Sequence, residues 1–229
     1  MGTTQNHGAD EASRRSGEDA FSIMRARMVE TQIVARGVSD SAVLAAMRKV
    51  PRHELVPPSM VAMAYDDHPI PIGRGQTISQ PYIVALMCQL AELHPRARVL
   101  EVGTGSGYQA AILAELGAEV YTVEIVAPLA DDAAAKLARL GYTVHARTGD
   151  GYRGWPEAAP FDAIVVAAAA PAVPEPLKQQ MKIGGRMVLP VGTHDQSLQV
   201  ITRTTHGWDA RTVIPVAFVP MTGEAQKPK

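Results

Sequence analysis

The sequence predicts a Rossmann-like α/β fold: a doubly wound, mostly parallel sheet with helices on both faces and a helical N-terminal extension. Three observations carry that prediction. Beyond Arg96 short apolar strands alternate with helical stretches. The first strand runs straight into a glycine-rich turn, Gly103-Thr-Gly-Ser-Gly107, that opens a helix. Before Arg96 the pattern is helical, with turns between.

Taken in order, residues 1–20 are small, polar and charged with almost no large apolar residue. Such a segment cannot bury enough surface to offset its ordering entropy, so a disordered tail is predicted there. Residues 21–223 are read as one domain, with 21–95 as the helical part and 96–223 as the α/β part. Ser39 and Asp40 offer an N-cap for a helix over 41–50, and Pro51 ends it. A loop rich in Pro and Gly follows over 66–75. In the next helix the apolar residues Ile83, Leu86, Met87, Leu90 and Leu93 share one face. Ser79 is placed as its N-cap, with Pro81 in the first turn.

In the α/β part the predicted strands are 98–102, 119–123, 143–147, 163–167 and 186–190. The predicted helices are 108–116, 126–140 and 174–181. Two last strands, 198–203 and 213–219, have no helix between them and are expected to pair antiparallel at one sheet edge. The end, 223–229, reads as a short frayed segment.

Bulk properties narrow the function. The chain has 229 residues, 46% of them hydrophobic, enough for a substantial core. No apolar run approaches the roughly 18 residues of a membrane helix. Lys and Arg number 22 against 23 Asp and Glu, a net charge of -1, which gives no general affinity for nucleic acid or anionic membrane. With one cysteine, Cys88, no intrachain disulfide can form. Arg14 and Arg15 precede Ser16-Gly-Glu-Asp19, not the apolar segment of a twin-arginine leader. A cytoplasmic protein is expected. Seven scattered histidines show no metal-ligand spacing, and no Gly-x-Ser-x-Gly elbow is present for a hydrolase.

The chemistry centres on the glycine turn. Glycines there let the backbone turn tightly and approach a ligand. The form is Gly-x-Gly-x-Gly, not the Gly-x-Gly-x-x-Gly that cradles a pyrophosphate, and Tyr108 stands where the third Rossmann glycine would be. Glu124, at the end of the second strand, is placed to accept hydrogen bonds from two ribose hydroxyls; the alternative is a solvated strand-end carboxylate. Asp150, between Gly149 and Gly151, could accept from an adenine amino group or simply form an Asp-Gly turn. Ser79 could be only a helix cap, yet a helix N-terminus also suits a carboxylate ligand, and the residues leave both readings open. Cys88 reads as a small core residue.

These residues together resemble the protein-L-isoaspartate O-methyltransferases, over about residues 28–223. The matching segments are Val50-Pro-Arg-His-Glu-Leu-Val-Pro57, Pro69-Ile-Pro-Ile-Gly73, Gln76-Thr-Ile-Ser-Gln-Pro-Tyr82 and Val99 through Gln109. Further matches are Gly149-Asp-Gly-Tyr152, Ala168-Ala-Ala-Pro171 and Gly184-Gly-Arg-Met-Val-Leu-Pro-Val-Gly192. The glycine turn is shared by many methyltransferases; the Gln-Thr-Ile-Ser-Gln-Pro segment is the family-specific one.

The resemblance implies the methyltransferase form of the doubly wound sheet, S-adenosyl-L-methionine as cofactor, and methylation of isoaspartyl residues, with D-aspartyl residues as a second substrate class, to start repair of damaged proteins. It implies Ser79 as the active-site residue. It implies cofactor contacts at Gln76, Thr77, Ile78 and Ser79, along Glu101, Val102, Gly103, Thr104, Gly105 and Ser106, and at Glu124, Ile125, Asp150, Gly151 and Thr222. No metal is implied. Partners would be damaged proteins or peptides, with neither nucleic acid nor membrane, and the chain is expected to be monomeric. Three departures stand out: Ala167 where the family often has threonine, Ala172 where an acidic residue is more usual, and a longer polar tail. The rival readings are a methyltransferase of the same fold with another substrate, an NAD-dependent oxidoreductase, and a non-catalytic S-adenosylmethionine-binding module.

Overall fold

A computed structural model describes residues 20–227. The predicted tail lies outside the described residues except for residue 20, as do the last two residues of the predicted frayed end. Nine strands and six helices organise the described chain. Helix α1 (residues 20–28) runs into a π turn, Val29–Ile33, and a 3-10 turn, Val34–Arg36, that Gly37 stops at φ 88°. Helix α2 (Ser41–Lys49) starts as predicted: the Asp40 carboxylate accepts the N–H groups of Ala42 and Val43.

The loop rich in Pro and Gly holds a feature that the sequence reading missed. Strand β1 (Ile70–Gly73) pairs antiparallel with β2 (Gln76–Ile78). Pro and Gly obscure so short a ribbon, because they read as turn residues wherever they fall. Helix α3 (Pro81–Ala91) then begins one residue later than predicted. Its N-cap is Gln80, not Ser79, and no side chain caps it. Pro81 drives the residue before it into an extended backbone, so the helix boundary falls at Gln80.

The large sheet has the order β5-β4-β3-β6-β7-β8-β9. Strands β3 (Arg98–Val102), β4 (Glu119–Glu124), β5 (His145–Thr148), β6 (Phe161–Val166) and β7 (Met181–Val191) are parallel. Helices α4 (Tyr108–Glu115), α5 (Ala127–Arg139) and α6 (Glu175–Gln179) link them. The chain winds outward from β3 to β5 and restarts on the other side of β3 with β6. The switch point therefore lies between the carboxyl ends of β3 and β6. Strands β8 (Gln196–Thr204) and β9 (Gly207–Val216) add antiparallel at the edge, as expected.

Several strand limits need correcting. β7 starts at Met181 rather than at 186, taking the last residue of the predicted helix 174–181, and β6 starts at Phe161 rather than at 163. β5 starts at His145 rather than at 143. β9 covers Gly207–Val216 rather than 213–219. An edge strand pairs through its backbone, and the polar outer residues Asp209, Arg211 and Thr212 gave no apolar signal. After Val216 the chain leaves the ladder and crosses back to the switch point. There the Ala169 N–H donates to Val219 O at 2.8 Å and the Met221 N–H to Ala169 O at 2.8 Å. Residues 223–226 form a 3-10 turn, and Glu224 pairs with Arg153, so this part of the predicted frayed end is anchored.

Alternate residues on the central strands face opposite layers. Val99, Ala163, Val165 and Val188 join a core with α2, α3 and α4. Leu100, Ile164, Val166, Met187 and Leu189 join a second core with Leu177 of α6. A parallel sheet covered on both faces requires such near-continuous apolar strands. One residue breaks the pattern. Glu101 shares the α3–α4 face with Val99 by the two-residue period, and it is completely buried.

Candidate active site

The switch point opens into a cleft. Its floor is the end of β3 and the glycine turn, where Gly103, Gly105 and Gly107 all have positive φ, at 92°, 53° and 84°. Such angles cost a side-chain-bearing residue steric energy and favour glycine. The Gly103 N–H donates to Val123 O at 2.8 Å, and the Ala167 N–H to Val102 O at 2.8 Å, so the turn is tied to both neighbouring strands. Gly151 closes against this floor: a Cβ there would stand 2.4 Å from Val102 Cγ1.

Most of the residues singled out from sequence meet at this cleft. Gln76, Thr77, Ile78 and Ser79 form one wall. Glu101, Val102, Gly103, Thr104 and Ser106 line the floor. Glu124, Ile125 and Gly151 lie at the β4–β5 side, and Thr222 reaches in from the returning C-terminal segment.

Two of the residues fall elsewhere. Gly105 lines a separate groove on the other side of the turn. Asp150 does not line the cleft; its carboxylate accepts the Tyr152 N–H at 3.0 Å and the Glu224 N–H at 2.8 Å. Asp150 therefore anchors the C-terminal return that brings Thr222 to the cleft.

Glu124 is nearly buried and is not a solvated strand-end carboxylate. It accepts the Gly105 N–H on Oε2 and the Val126 N–H on Oε1, each at 2.9 Å. Deeper in, the Thr122 hydroxyl donates to Glu101 Oε2 at 2.6 Å and lies 2.6 Å from the Thr104 hydroxyl. Burial pushes the Glu101 carboxyl up to about 8, and the nearby Glu124 charge adds to the rise, against hydrogen bonding from Thr122 and the Ala110 amide.

A second groove adjoins the cleft. It runs along Pro69, Gln80 and Ile83 on one side and 215–219 on the other. Thr77, Ser79, Ala167 and Val219 line both spaces, so Ser79 stands at their junction. No charged side chain lines this groove. Because α3 is capped by no side chain and begins with a proline, the first N–H groups of its opening turn remain open beside Ser79. The departure at Ala167 falls at the same junction, whereas Ala172 is exposed on another face.

Sequence reasoning missed several lining residues. Val219 reads as the end of a strand, and Pro220 and Met221 fall between that strand and the predicted frayed end, because only the fold carries them back across the sheet. Gln109 did leave a signal: it is a polar residue in the first turn of α4, where residues 108–113 are all buried. Cys88 is buried, as expected. Among the described residues no cluster of His, Cys, Asp or Glu could hold a metal ion, and no helix is long and apolar enough to cross a membrane.

Comparison with known proteins gives a consistent picture. A family model for protein-L-isoaspartate(D-aspartate) O-methyltransferases matches residues 24–226. The protein-L-isoaspartate O-methyltransferase of Gloeobacter violaceus is 58% identical over 200 residues, covering 86% of this chain and 98% of that protein. That of Opitutus terrae is 59% identical over 203 residues, 87% of each. A solved protein-L-isoaspartate O-methyltransferase aligns with TM-score 0.79 and 29% identity over 91% of this chain and 66% of its own. The structure of one from Plasmodium falciparum, in complex with S-adenosyl-L-homocysteine, aligns with TM-score 0.76 and 26% identity, covering 86% of this chain and 98% of that one.

Proposed function

The chain belongs to the protein-L-isoaspartate(D-aspartate) O-methyltransferase family, and on that premise we propose how its cleft works. It is an S-adenosylmethionine-dependent enzyme that methylates isoaspartyl residues of damaged proteins, the first step of their repair. The cleft suits that cofactor. It pairs a glycine turn open to close approach with a carboxylate, Glu124, at the end of the neighbouring strand. When bound, the cofactor supplies an electrophilic methyl group on a sulfonium.

In this reading Glu124 and Ile125 hold the ribose side, and Gly151 packs beside the adenine. Asp150 acts there by holding Tyr152 and the 223–226 turn in place, with its carboxylate already engaged by two backbone amides. Gln76, Thr77, Ile78 and Thr222 close the cleft over the tail and the sulfur. Residues 21–223 work as one unit; in support, one apolar core joins Met28 and Val43 to Val165 and Val200.

The observation that carries the proposal is the position of Ser79 where the cleft and the groove meet. An isoaspartyl α-carboxylate lying in the groove would reach Ser79 and the open first turn of α3 together. A carboxyl group with pKa of roughly 4 is already ionised at neutral pH, so no general base is needed. Neutral donors also suit a nucleophile better than a lysine or arginine would, because a salt bridge would hold its charge back. The groove's uncharged lining fits that requirement. Catalysis then rests on alignment and exclusion of water, effects that reach about 7–11 kcal/mol in well-oriented systems.

We further propose that D-aspartyl residues enter the same groove, and that the protein acts as a monomer in the cytoplasm on proteins and peptides rather than nucleic acid. The test is transfer of radiolabelled methyl to an isoaspartyl peptide and to its normal aspartyl counterpart. Labelling of the isoaspartyl peptide alone is expected; equal labelling of both would remove the substrate assignment.

A further inference from the structure

Among the described residues the polar side chains that line the groove beside the cleft are Thr77, Ser79 and Gln80. The hydroxyls of Thr77 and Ser79 can donate or accept, as a ligand requires. Gln80 differ from them, because its amide is held. Gln80 Nε2 donates to Asp67 O at 3.0 Å and to Asp67 Oδ1 at 2.8 Å. Both partners only accept, so the nitrogen has to stand there and the amide cannot be turned round. Asp67 is braced in turn. Arg36 pairs with its carboxylate at 3.1 Å and lies over the Tyr82 ring, in the first turn of α3, at 4.3 Å. Such an exposed ion pair adds little energy, but it sets where the carboxylate stands.

Both N–H groups of Gln80 are thus engaged, and its Oε1 has no hydrogen bond within the described residues. What Gln80 offers the groove is an oriented acceptor, one residue along from Ser79. On the facing wall the Phe218 and Val219 carbonyls already accept, from Gln196 and from the Ala169 N–H.

The chemistry of the methyl acceptor says which donor such an oxygen can read. In an isoaspartyl residue the peptide N–H sits on the same carbon that bears the free carboxylate. In a normal aspartyl residue one methylene separates that carbon from the carboxylate. The N–H on the other side, which begins the next residue, is equally far from the carboxylate in both. Only the preceding N–H therefore distinguishes the two by its distance.

We propose that Gln80 is a specificity-determining residue: its Oε1 accepts the isoaspartyl residue's own N–H while Ser79 and the open turn of α3 take the α-carboxylate. Asp67 is its positioning residue. The proposal rests on the assignment of the groove to the methyl acceptor and goes further by naming how the groove measures the acceptor. A normal aspartyl residue that places its carboxylate at Ser79 carries its N–H past Gln80, and the acceptor is left unpaired.

The experiment removes the N–H from the substrate and the acceptor from the protein in turn. One substrate is an isoaspartyl peptide. The other is the matching depsipeptide, in which an ester oxygen replaces that N–H. Initial rates of methyl transfer give kcat/KM for each. The unaltered protein is expected to prefer the amide by about three- to tenfold, the effect of one hydrogen bond. Gln80→Met should lose about that factor on the amide and no longer distinguish the two substrates. Its affinity for S-adenosylhomocysteine should change by less than about twofold, since Gln80 does not line the cleft. Asp67→Ala should blunt the preference, and Asp67→Asn, which keeps an oxygen acceptor for Gln80, should restore it. Melting curves establish folding, and the Asp67 pair carries the test if Gln80→Met does not fold. Equal rates on both substrates for the unaltered protein, or an undiminished preference in Gln80→Met and Asp67→Ala, would overturn the role of Gln80 while leaving the groove assignment intact. Failure of the unaltered protein to methylate the isoaspartyl peptide would overturn the groove assignment and this proposal together.

Discussion

The Glu124 carboxylate accepts the Gly105 N–H at 2.9 Å, joining the end of β4 to the middle of the glycine turn. One side chain thus shapes the turn and faces the cleft that the turn forms. Its other oxygen holds the Val126 N–H, so the carboxylate also fixes the start of α5.

Glu124→Ala is therefore expected to act on binding in two ways, by loosening the turn and by removing a partner for the ribose. S-adenosylhomocysteine affinity should fall by about 10- to 100-fold, the usual range for a lost hydrogen bond to a charged group. Glu124→Gln keeps one oxygen acceptor and should fall between the two. Calorimetric titration checks this, and unchanged affinity in the alanine variant would remove Glu124 from the cofactor site.

Ser79→Ala should separate turnover from cofactor binding. The hydroxyl is not the cap of α3, so the helix loses no cap hydrogen bond by the change. The turnover number on an isoaspartyl peptide should drop by about tenfold or more, in line with the loss of one orienting hydrogen bond. The Kd for S-adenosylhomocysteine should move by less than about threefold. If turnover is unaffected, the open first turn of α3 suffices to orient the acceptor.

Gly151→Ala should destabilise the protein by about 1–3 kcal/mol through overpacking against Val102. The clash is with a single methyl group, Val102 Cγ1, at 2.4 Å. Val102→Ala removes that methyl and leaves room. In a double-mutant cycle followed by urea unfolding, the pair should be less destabilised than the sum of its parts by roughly 1 kcal/mol. Simple additivity would show that Gly151 is required for another reason.

The buried Glu101 carboxyl gives the stability a pH dependence of definite sign. Its folded-state value is raised from 4.5 to about 8, so between those values the folded protein holds a proton that the unfolded chain has released. Stability is then greatest below the unfolded value and declines as pH rises toward the folded one, by at most about 1.4 kcal/mol per pH unit. The groups that shape this are the Thr122 hydroxyl, the Ala110 amide and the Glu124 charge. Glu101→Gln should remove that slope, so the variant gains on the unaltered protein from pH 5 to 8. Urea titrations at three pH values in that window test it; a constant difference between the two proteins would show that Glu101 ionises normally.

Much of this was legible in the residues alone. The alternation of strand and helix after Arg96, the strand running into Gly103, and the placement of Glu124 at the end of the next strand are local features. They follow from periodicity and from the demands of glycine at positive φ, both of which act over a few residues. The segment from Gln76 to Tyr82 could be singled out for the same reason, although its exact helix start could not. Pro81 moved the cap to Gln80 and so freed Ser79 from a purely structural duty.

Tertiary structure decided the rest. Nothing in the sequence near Val219 shows that it returns to Ala169 and forms a wall of the cleft, because that path depends on where β9 ends against β8. Asp150 looked like a ligand for adenine; a partner 74 positions away, the Glu224 N–H, takes up one of its oxygens. Glu101 and Gln109 appear from the sequence as an acid in a strand and an amide in a helix. Only packing buries both of them beside the same cleft. The division has one physical cause. Backbone geometry and apolar periodicity are set by neighbours in the chain, whereas desolvation and the pairing of polar groups are set by whatever residues the fold brings alongside.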